Sequence, residues 1–199
     1  PVMIKIATFF LIAMMIVALA SRWVRPTRKP PQLGRFCTNC GRPRIGTAPP
    51  RISPERDEVR RAIELLERAK RPMLMAGTSV KWSRASAAMC RFIQETHIPS
   101  YTNGMGRGTI PPEMPAFMNR SRREALQQTD CVVLAGTLLD FRMRFGQTIP
   151  ADAKIIQLEM DAILIGQNRG TDVSLVGNLA CGFELLSEEM KNQGVRLDF

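Results

Sequence analysis

Five short runs of mainly apolar residues constrain the fold of this chain more than any other feature. They cover residues 72–78, 98–103, 131–136, 153–160 and 173–178. Helical patterns lie between them and after the last, at residues 53–71, 83–97, 119–129 and 179–192. Strands without polar alternation are typical of sheets that are covered on both faces. The sequence therefore predicts an α/β fold, a Rossmann-like parallel sheet with helices on both faces.

The first helix carries start and stop signals. Ser53 is the predicted N-cap, Pro54 stands at the first helical position, and acidic residues follow in the first turn. Apolar residues then recur at helical spacing until Pro72, which is predicted to end the helix. We place the start of the folded domain here, with residues 1–52 as an irregular N-terminal segment and residues 53–199 as the domain.

The net positive charge lies mostly outside the predicted domain. The chain has 28 lysines and arginines, nine of them before Glu55, and all 18 of its acidic residues lie from Glu55 onward. The part that is predicted to fold is therefore almost neutral. A nucleic-acid-binding protein should carry its basic footprint on the folded face that binds, so we predict no nucleic acid partner.

The N-terminal segment leaves several interpretations open. Residues 6–20 contain no charge, but this run is shorter than the roughly 20 residues that span a bilayer. Lys5 before it and Ala18-Leu19-Ala20 after it imitate a secretory signal with its cleavage site. A membrane anchor, or a buried strand that runs into a helix, is the alternative. The following stretch is rich in Pro, Gly and Arg and is typical of a linker.

The five cysteines suit a reducing compartment better than a disulfide framework. Cys90, Cys131 and Cys181 lie in apolar runs, as buried free thiols do. The sequence therefore favours a cytoplasmic location, with membrane association through the N-terminal run as the alternative. Cys37 and Cys40 have the spacing of one zinc knuckle, but no second ligand pair follows, and His97 lies far along the chain.

Glycines and polar side chains follow the predicted strands. Parallel sheets bind ligands at the carboxyl ends of their strands, where glycine lets the backbone approach a ligand and carboxylates accept ribose hydroxyls. Arg142 could pair with a diphosphate, although Asp140 and Arg142 could also form only a local ion pair. The glycines could equally serve as turns, and no G-x-G-x-x-G fingerprint is present.

Six segments resemble, in order and spacing, the central domain of thiamine-diphosphate-dependent enzymes. They are RPMLMAGTSVKWS, TNGMGRGTIPPEMP, a helix ending in QQTD, CVVLAGTLLDFRMRFG, AKIIQLEMDAILIGQN and VSLVGN. The similarity is greatest to acetolactate-synthase-like proteins and 2-hydroxyacyl-CoA lyases, and it covers about residues 53–193. PVMIKI at the start resembles the strand that ends the preceding pyrimidine-binding domain of that family.

The resemblance implies a six-stranded parallel sheet with the DHS-like NAD/FAD-binding topology. In this family the sheet holds FAD in acetolactate synthases, ADP or a coenzyme A moiety in some acyl-CoA relatives, and nothing in others. The positions that correspond to the cofactor-binding turns are Gly77, Thr78, Met105, Gly106, Gly108, Gly136, Thr137, Asp140, Arg142, Glu159, Asp161, Ile165, Gly166 and Asn178.

Three departures from the acetolactate synthase pattern argue against bound FAD. Leu138 stands where those enzymes usually have an arginine that supports the flavin. Their longer loop of glycine and methionine before the third strand is missing, and their Gly-Asp after the fifth strand is Gly177-Asn178. The resemblance therefore favours the lyase-like branch, with ADP or a coenzyme A moiety as the ligand.

The family resemblance places the catalytic groups outside this chain. A glutamate on the pyrimidine-binding domain activates thiamine diphosphate, and a G-D-G…N motif on a diphosphate-binding domain holds Mg²⁺. We therefore expect no catalytic residue here, no activity of the chain alone, and a full-length homo-oligomeric enzyme that forms or breaks a carbon–carbon bond of 2-keto acids or 2-hydroxyacyl-CoA. The alternative is a stand-alone adenine-nucleotide-binding module, related to sirtuins or electron-transfer flavoproteins, or a membrane-tethered version of either.

Overall fold

Five parallel strands form a single sheet in the computed structural model, which describes residues 51–199. In chain order they are β1 (Pro72–Ala76), β2 (Ser100–Thr102), β3 (Cys131–Ala135), β4 (Lys154–Glu159) and β5 (Val173–Val176). Their order across the sheet is β2-β1-β3-β4-β5, and every neighbouring pair is parallel. The prediction of a parallel α/β sheet is confirmed, with five strands in this part of the chain where the family resemblance implied six.

Within residues 51–199, five helices precede, connect or follow the strands. They are α1 (Arg56–Arg68), α2 (Thr78–Trp82), α3 (Ser86–Thr96), α4 (Arg122–Gln128) and α5 (Leu179–Gln193). Three short 3₁₀ segments follow β2, β3 and β4, at Gly104–Gly106, Phe141–Gly146 and Ala162–Leu164. The four predicted helices are all present, although α1, α3 and α4 are each shorter than predicted, and the short helix α2 was not predicted.

The predicted N-cap at Ser53 is wrong. Helix α1 begins at Arg56 with Glu55 as its N-cap, and no side chain caps it. The reason is a tertiary contact: the Ile52 carbonyl accepts a hydrogen bond from the Asn178 backbone N–H at 2.7 Å. Pro54 is buried, and its ring packs against Gly177 just after β5. Residues 52–54 are therefore held against the end of β5 instead of beginning the helix.

The strands consist mainly of apolar residues because both faces of the central strands are buried. In β1, Leu74 and Ala76 contribute to a large cluster that includes side chains of α1, α3 and α5. Met73 and Met75 contribute to a second cluster, in which Leu126 of α4 takes part. Alternate residues of one strand thus enter two different cores, as expected for a sheet between two helical layers.

The predictions for the N-terminal segment fall outside the described residues. The uncharged run at residues 6–20, and Cys37 and Cys40, belong to this segment, so the signal, membrane and zinc interpretations stay predictions. Among residues 51–199, none of the helices is long and apolar enough to cross a bilayer. Cys90, Cys131 and Cys181 are free thiols, and burial raises the pKa of Cys131 to about 12.

Asp130→Ala is expected to destabilise the domain. The Asp130 carboxylate accepts hydrogen bonds from the backbone N–H groups of Lys70 (2.8 Å) and Arg71 (3.0 Å) in the turn between α1 and β1. Alanine leaves both donors without this partner, so we expect a loss of about 1–2 kcal/mol in the free energy of unfolding, measured by urea denaturation. Asp152→Ala is the control, because Asp152 is exposed. An equal loss in both variants would contradict the role of Asp130.

Candidate functional site

The candidate site lies where the chain reverses its direction across the sheet. After β1 the chain turns to the edge strand β2, and it later returns to add β3 on the other side of β1. Loops at such a point diverge and leave a crevice outside the carboxyl ends of the strands. Gly77 follows β1 and Gly136 follows β3, so these two turns border the crevice.

The two turns touch each other through their backbones. The Gly77 N–H donates to the Ala135 carbonyl at 2.8 Å, and the Ser79 N–H donates to the Gly136 carbonyl at 3.3 Å. An ideal Cβ at Gly77 would lie 2.1 Å from the Gly136 carbonyl oxygen, and one at Gly136 would lie 2.6 Å from Cβ of Ser79. Gly136 also has a φ of +61°. Only glycine fits at either position.

A cavity of about 310 Å³ opens in this crevice. Seven of the predicted cofactor-binding residues line it: Gly77, Thr78, Gly136, Thr137, Asp140, Arg142 and Glu159. The other lining residues are Ser79, Asn103, Gly104, Leu138 and Leu164. Half of the predicted positions thus come together around one space. We call this space the nucleotide cavity, after the ligand that the sequence predicts.

The predicted residues after β2 do not line the nucleotide cavity. Gly106 lies beneath it, where an ideal Cβ would be 2.4 Å from the Ala76 carbonyl oxygen, so its role is close packing. Met105 is 44% exposed, and Gly108 has a φ of +82° in a turn with open space around it. A ligand role for these three residues stays a prediction.

The remaining predicted residues, after β4 and β5, serve local structure. The Asp161 side chain accepts the Ile163 N–H at 3.0 Å, and the Asn178 side chain caps α5 by accepting the Ala180 N–H at 3.0 Å. Gly166, next to Ile165, donates its N–H to the Gln157 side chain at 2.9 Å. None of these residues lines the nucleotide cavity, and their ligand roles stay predictions.

Asp140 and Arg142 form the local ion pair that was one interpretation of the sequence. The Arg142 guanidinium donates to the Asp140 carboxylate at 2.6 and 2.9 Å, and the Arg142 backbone N–H donates to it at 2.9 Å. These hydrogen bonds from Arg142 hold the pKa of Asp140 below its usual value. Arg142 remains 55% exposed, so its free donors can still reach a ligand.

Glu159 is the one buried carboxyl group in the wall of the nucleotide cavity. Glu159 is the last residue of β4 and is 1% exposed. Oε1 accepts the Met160 backbone N–H at 2.8 Å, but Oε2 has no hydrogen-bond partner among residues 51–199. Burying a polar atom without a hydrogen-bond partner costs free energy. A carboxylate oxygen of this kind is therefore suited to accept a hydrogen bond from a hydroxyl group of a ligand.

Sequence reasoning missed a second cavity beside the first. Arg142 also lines a space of about 290 Å³ together with Arg122, Arg123 and Arg144. The consecutive arginines at the start of α4 were the available signal. Their position beside the loop after β3 depends on the packing of α4 and could not be read from the sequence.

Within residues 51–199, no group of three or more His, Cys, Asp or Glu side chains could hold a metal ion.

Comparison with known proteins identifies related sequences. The family model described as "Thiamine pyrophosphate enzyme, central domain" matches residues 59–188. The chain is 39% identical over 104 residues to the acetolactate synthase large subunit IlvG of Mycobacterium tuberculosis, covering 52% of this chain and 19% of that protein. It is 37% identical over 108 residues to human 2-hydroxyacyl-CoA lyase 2, covering 54% of this chain and 17% of that protein.

Solved structures support the fold. Benzoylformate decarboxylase from Polynucleobacter necessarius aligns with a TM-score of 0.58 at 19% identity, covering 77% of this chain and 31% of that chain. A protein described as a thiamin diphosphate-dependent enzyme from Mycobacterium smegmatis aligns with a TM-score of 0.61 at 21% identity, covering 75% and 30%. The chain thus spans about a fifth of the length of the curated relatives and about a third of these structures.

Proposed function

Because this chain belongs to the family of thiamine pyrophosphate enzyme central domains, we propose that the enzyme it serves is a carbon–carbon lyase or synthase. Its substrates are 2-keto acids or 2-hydroxyacyl-CoA. The relatives named acetolactate synthase and 2-hydroxyacyl-CoA lyase support this reaction class. The domain itself contributes architecture and a ligand site, and it carries no catalytic residue.

The ligand of the nucleotide cavity is an adenine nucleotide, either ADP or the ADP moiety of coenzyme A. The observation that carries this proposal is the buried Glu159 carboxyl group with its unpartnered Oε2 at the carboxyl edge of the sheet. A ribose diol would supply the missing donor, as ribose hydroxyls do for acidic residues in related crevices. Arg142 lies on the same cavity and would contact the diphosphate.

Mg²⁺ does not fit the residues of this domain that the structure describes. Residues 51–199 offer no cluster of acidic or histidine ligands for a divalent ion. When bound, thiamine diphosphate supplies the carbanion chemistry of this family, and protein groups orient it. We propose that pyrimidine-binding and diphosphate-binding domains hold both groups in the complete homo-oligomeric enzyme, and that this chain alone is inactive. A cytoplasmic location stays a prediction.

Exposed apolar side chains in the loops after β3 and β4 support contact with these other domains. Phe141, in the loop after β3, is 71% exposed, and Ile163, in the loop after β4, is 77% exposed. Large apolar side chains on one edge of a domain are typical of surfaces that another protein surface covers. We propose that the catalytic domains cover this edge.

The nucleotide proposal predicts a binding preference. In calorimetric titrations of the 199-residue chain, we expect heat from ADP and from coenzyme A, but none from FAD. FAD is disfavoured because Leu138 lines the cavity without an arginine at that position to support a flavin. Inosine diphosphate is the control for the adenine ring. A yellow purified protein would contradict the flavin prediction, and the absence of heat from both ADP and coenzyme A would contradict the nucleotide proposal.

A further inference from the structure

The second cavity, which we call the arginine cavity, has an excess of positive charge. Arg122, Arg123, Arg142 and Arg144 line it, and only Arg142 has a carboxylate partner, Asp140. Within residues 51–199 no ion pair involves the other three. The segment before residue 51 contains no acidic residue that could neutralise them. Three guanidinium charges of this chain therefore stay without an acidic partner around one space.

Two separate elements bring these side chains together. Arg122 and Arg123 open α4, whereas Arg142 and Arg144 belong to the 3₁₀ segment after β3. Buried Leu126 and Met143 belong to the same apolar cluster and join the two elements beneath the cavity. Arg122 is half-buried, and its guanidinium donates to the Thr102 carbonyl at 3.4 Å, close to the end of β2. Packing of these two elements therefore fixes the backbone positions of the four arginines.

The arrangement concentrates positive charge that an anion would compensate. Like charges around one small space repel each other, and none of the residues that line the cavity is acidic. A guanidinium presents several N–H donors in a fixed plane, which matches the oxygens of a phosphate group. Arg142 lines both cavities, so an anion in the arginine cavity would lie next to a ligand in the nucleotide cavity.

We propose that Arg122, Arg123 and Arg144 form an anion subsite that binds a phosphate or diphosphate group. The group can belong to the nucleotide in the neighbouring cavity or to free inorganic pyrophosphate. Only the first source rests on the proposed function. The subsite itself rests on these three side chains and on the charge that they leave uncompensated.

The test compares two double variants of the 199-residue chain with equal changes in charge. Arg123→Gln with Arg144→Gln removes two exposed arginines of the subsite. Arg68→Gln with Arg196→Gln removes two exposed arginines elsewhere that have no ion pair within residues 51–199. Titration with inorganic pyrophosphate at low ionic strength should show a Kd about tenfold higher for the first variant and within about twofold of the parent chain for the second.

Because the N-terminal basic segment is identical in all three proteins, its own anion binding cancels in this comparison. Equal Kd values for parent and subsite variant, or an equal loss in the control variant, would overturn the proposal. If the subsite variant fails to fold, a protection experiment on the parent chain still tests the proposal. Pyrophosphate should protect Arg123 and Arg144, but not Arg68, from an arginine-specific dicarbonyl reagent, as read by mass spectrometry, and lack of protection would overturn the proposal.

ADP and adenosine separate the two sources. If the nucleotide provides the phosphate, the subsite variant loses affinity for ADP but not for adenosine. If ADP binding is unchanged while pyrophosphate binding is lost, the subsite takes a free anion. If neither adenosine nor ADP binds any of the proteins, but pyrophosphate binding still depends on Arg123 and Arg144, the nucleotide proposal fails and the anion subsite stands.

Discussion

Gly77→Ala is expected to lower the free energy of unfolding by at least about 3 kcal/mol, the upper range for overpacking of a close-packed interior. The added Cβ would lie 2.1 Å from the Gly136 carbonyl oxygen and 2.4 Å from Oγ1 of Thr137. Neither neighbour can move freely. The Gly77 N–H is bonded to the Ala135 carbonyl at 2.8 Å, and the Thr137 hydroxyl donates to the Met75 carbonyl at 3.0 Å. Urea denaturation of the chain measures the change.

Gly170→Ala is the matched control. An ideal Cβ at Gly170 meets no atom within 4 Å, and its φ lies outside the left-handed region. We expect the midpoint of the urea transition to stay unchanged or to rise slightly, because alanine restricts the unfolded chain more than glycine does. A Gly77→Ala midpoint equal to that of the parent chain would show that the β1 and β3 turns can separate, and that the crevice is wider than its backbone contacts indicate.

The sheet could be predicted because its strands have no exposed face. In β1 every residue is buried, with Met73 and Met75 on one side and Leu74 and Ala76 on the other. Such runs stand out from the helical segments, whose apolar residues recur every three or four positions. Hydrophobicity alone does not determine the strand order, since equally apolar strands could pair in several orders. The topology was implied by the family resemblance instead.

Local structure that depends on tertiary contacts was not predictable. In the 3₁₀ segment after β3, Arg144 and Phe145 have φ values of +48° and +53°, although neither residue favours this region. They are held there because the Phe145 N–H donates to the Asp140 carbonyl at 2.9 Å and because Met143 is buried. The residue types do not indicate either contact. The sequence therefore predicted the polar side chains of this loop but not its backbone conformation.

The position of each strand in the sheet determines which predicted site residues come together. Gly77 and Gly136 follow the adjacent central strands β1 and β3, and they meet. Asn178 follows β5, which β4 separates from β3, and its side chain caps α5 instead. Sequence reasoning treated every strand end alike, because neighbours in the sheet are not neighbours in the chain.

Two acidic residues near the end of β4, only two positions apart in the sequence, also differ in a way that the sequence does not reveal. Glu159 is the last residue of the strand and is buried, whereas Asp161 lies in the following turn and is exposed. Both were predicted to bind the cofactor. Their burial is opposite because the strand ends between them. The buried acid is therefore the better candidate for a ligand contact, and the two can be separated by mutation.

Glu159→Gln is expected to weaken ADP binding by about ten- to hundredfold, the range for the loss of hydrogen bonds to a charged acceptor. The amide oxygen can keep the bond to the Met160 N–H, but the second oxygen, Oε2, is replaced by an NH₂ group. A ribose diol then loses its free carboxylate acceptor. Calorimetric titration of the folded chain with ADP measures the effect.

The same variant should not destabilise the empty domain. Oε2 has no partner within residues 51–199, so the parent chain already bears the cost of a buried polar oxygen, and the neutral amide lowers the cost of burial. We expect the free energy of unfolding to stay equal or to rise by up to about 1 kcal/mol. The exposed Glu64→Gln should change neither quantity, whereas Asp161→Asn should leave the free energy of unfolding unchanged, and its affinity for ADP tests the predicted ligand role of Asp161. A large loss of stability in Glu159→Gln with unchanged ADP affinity would assign Glu159 to the structure of the crevice instead of to a ligand.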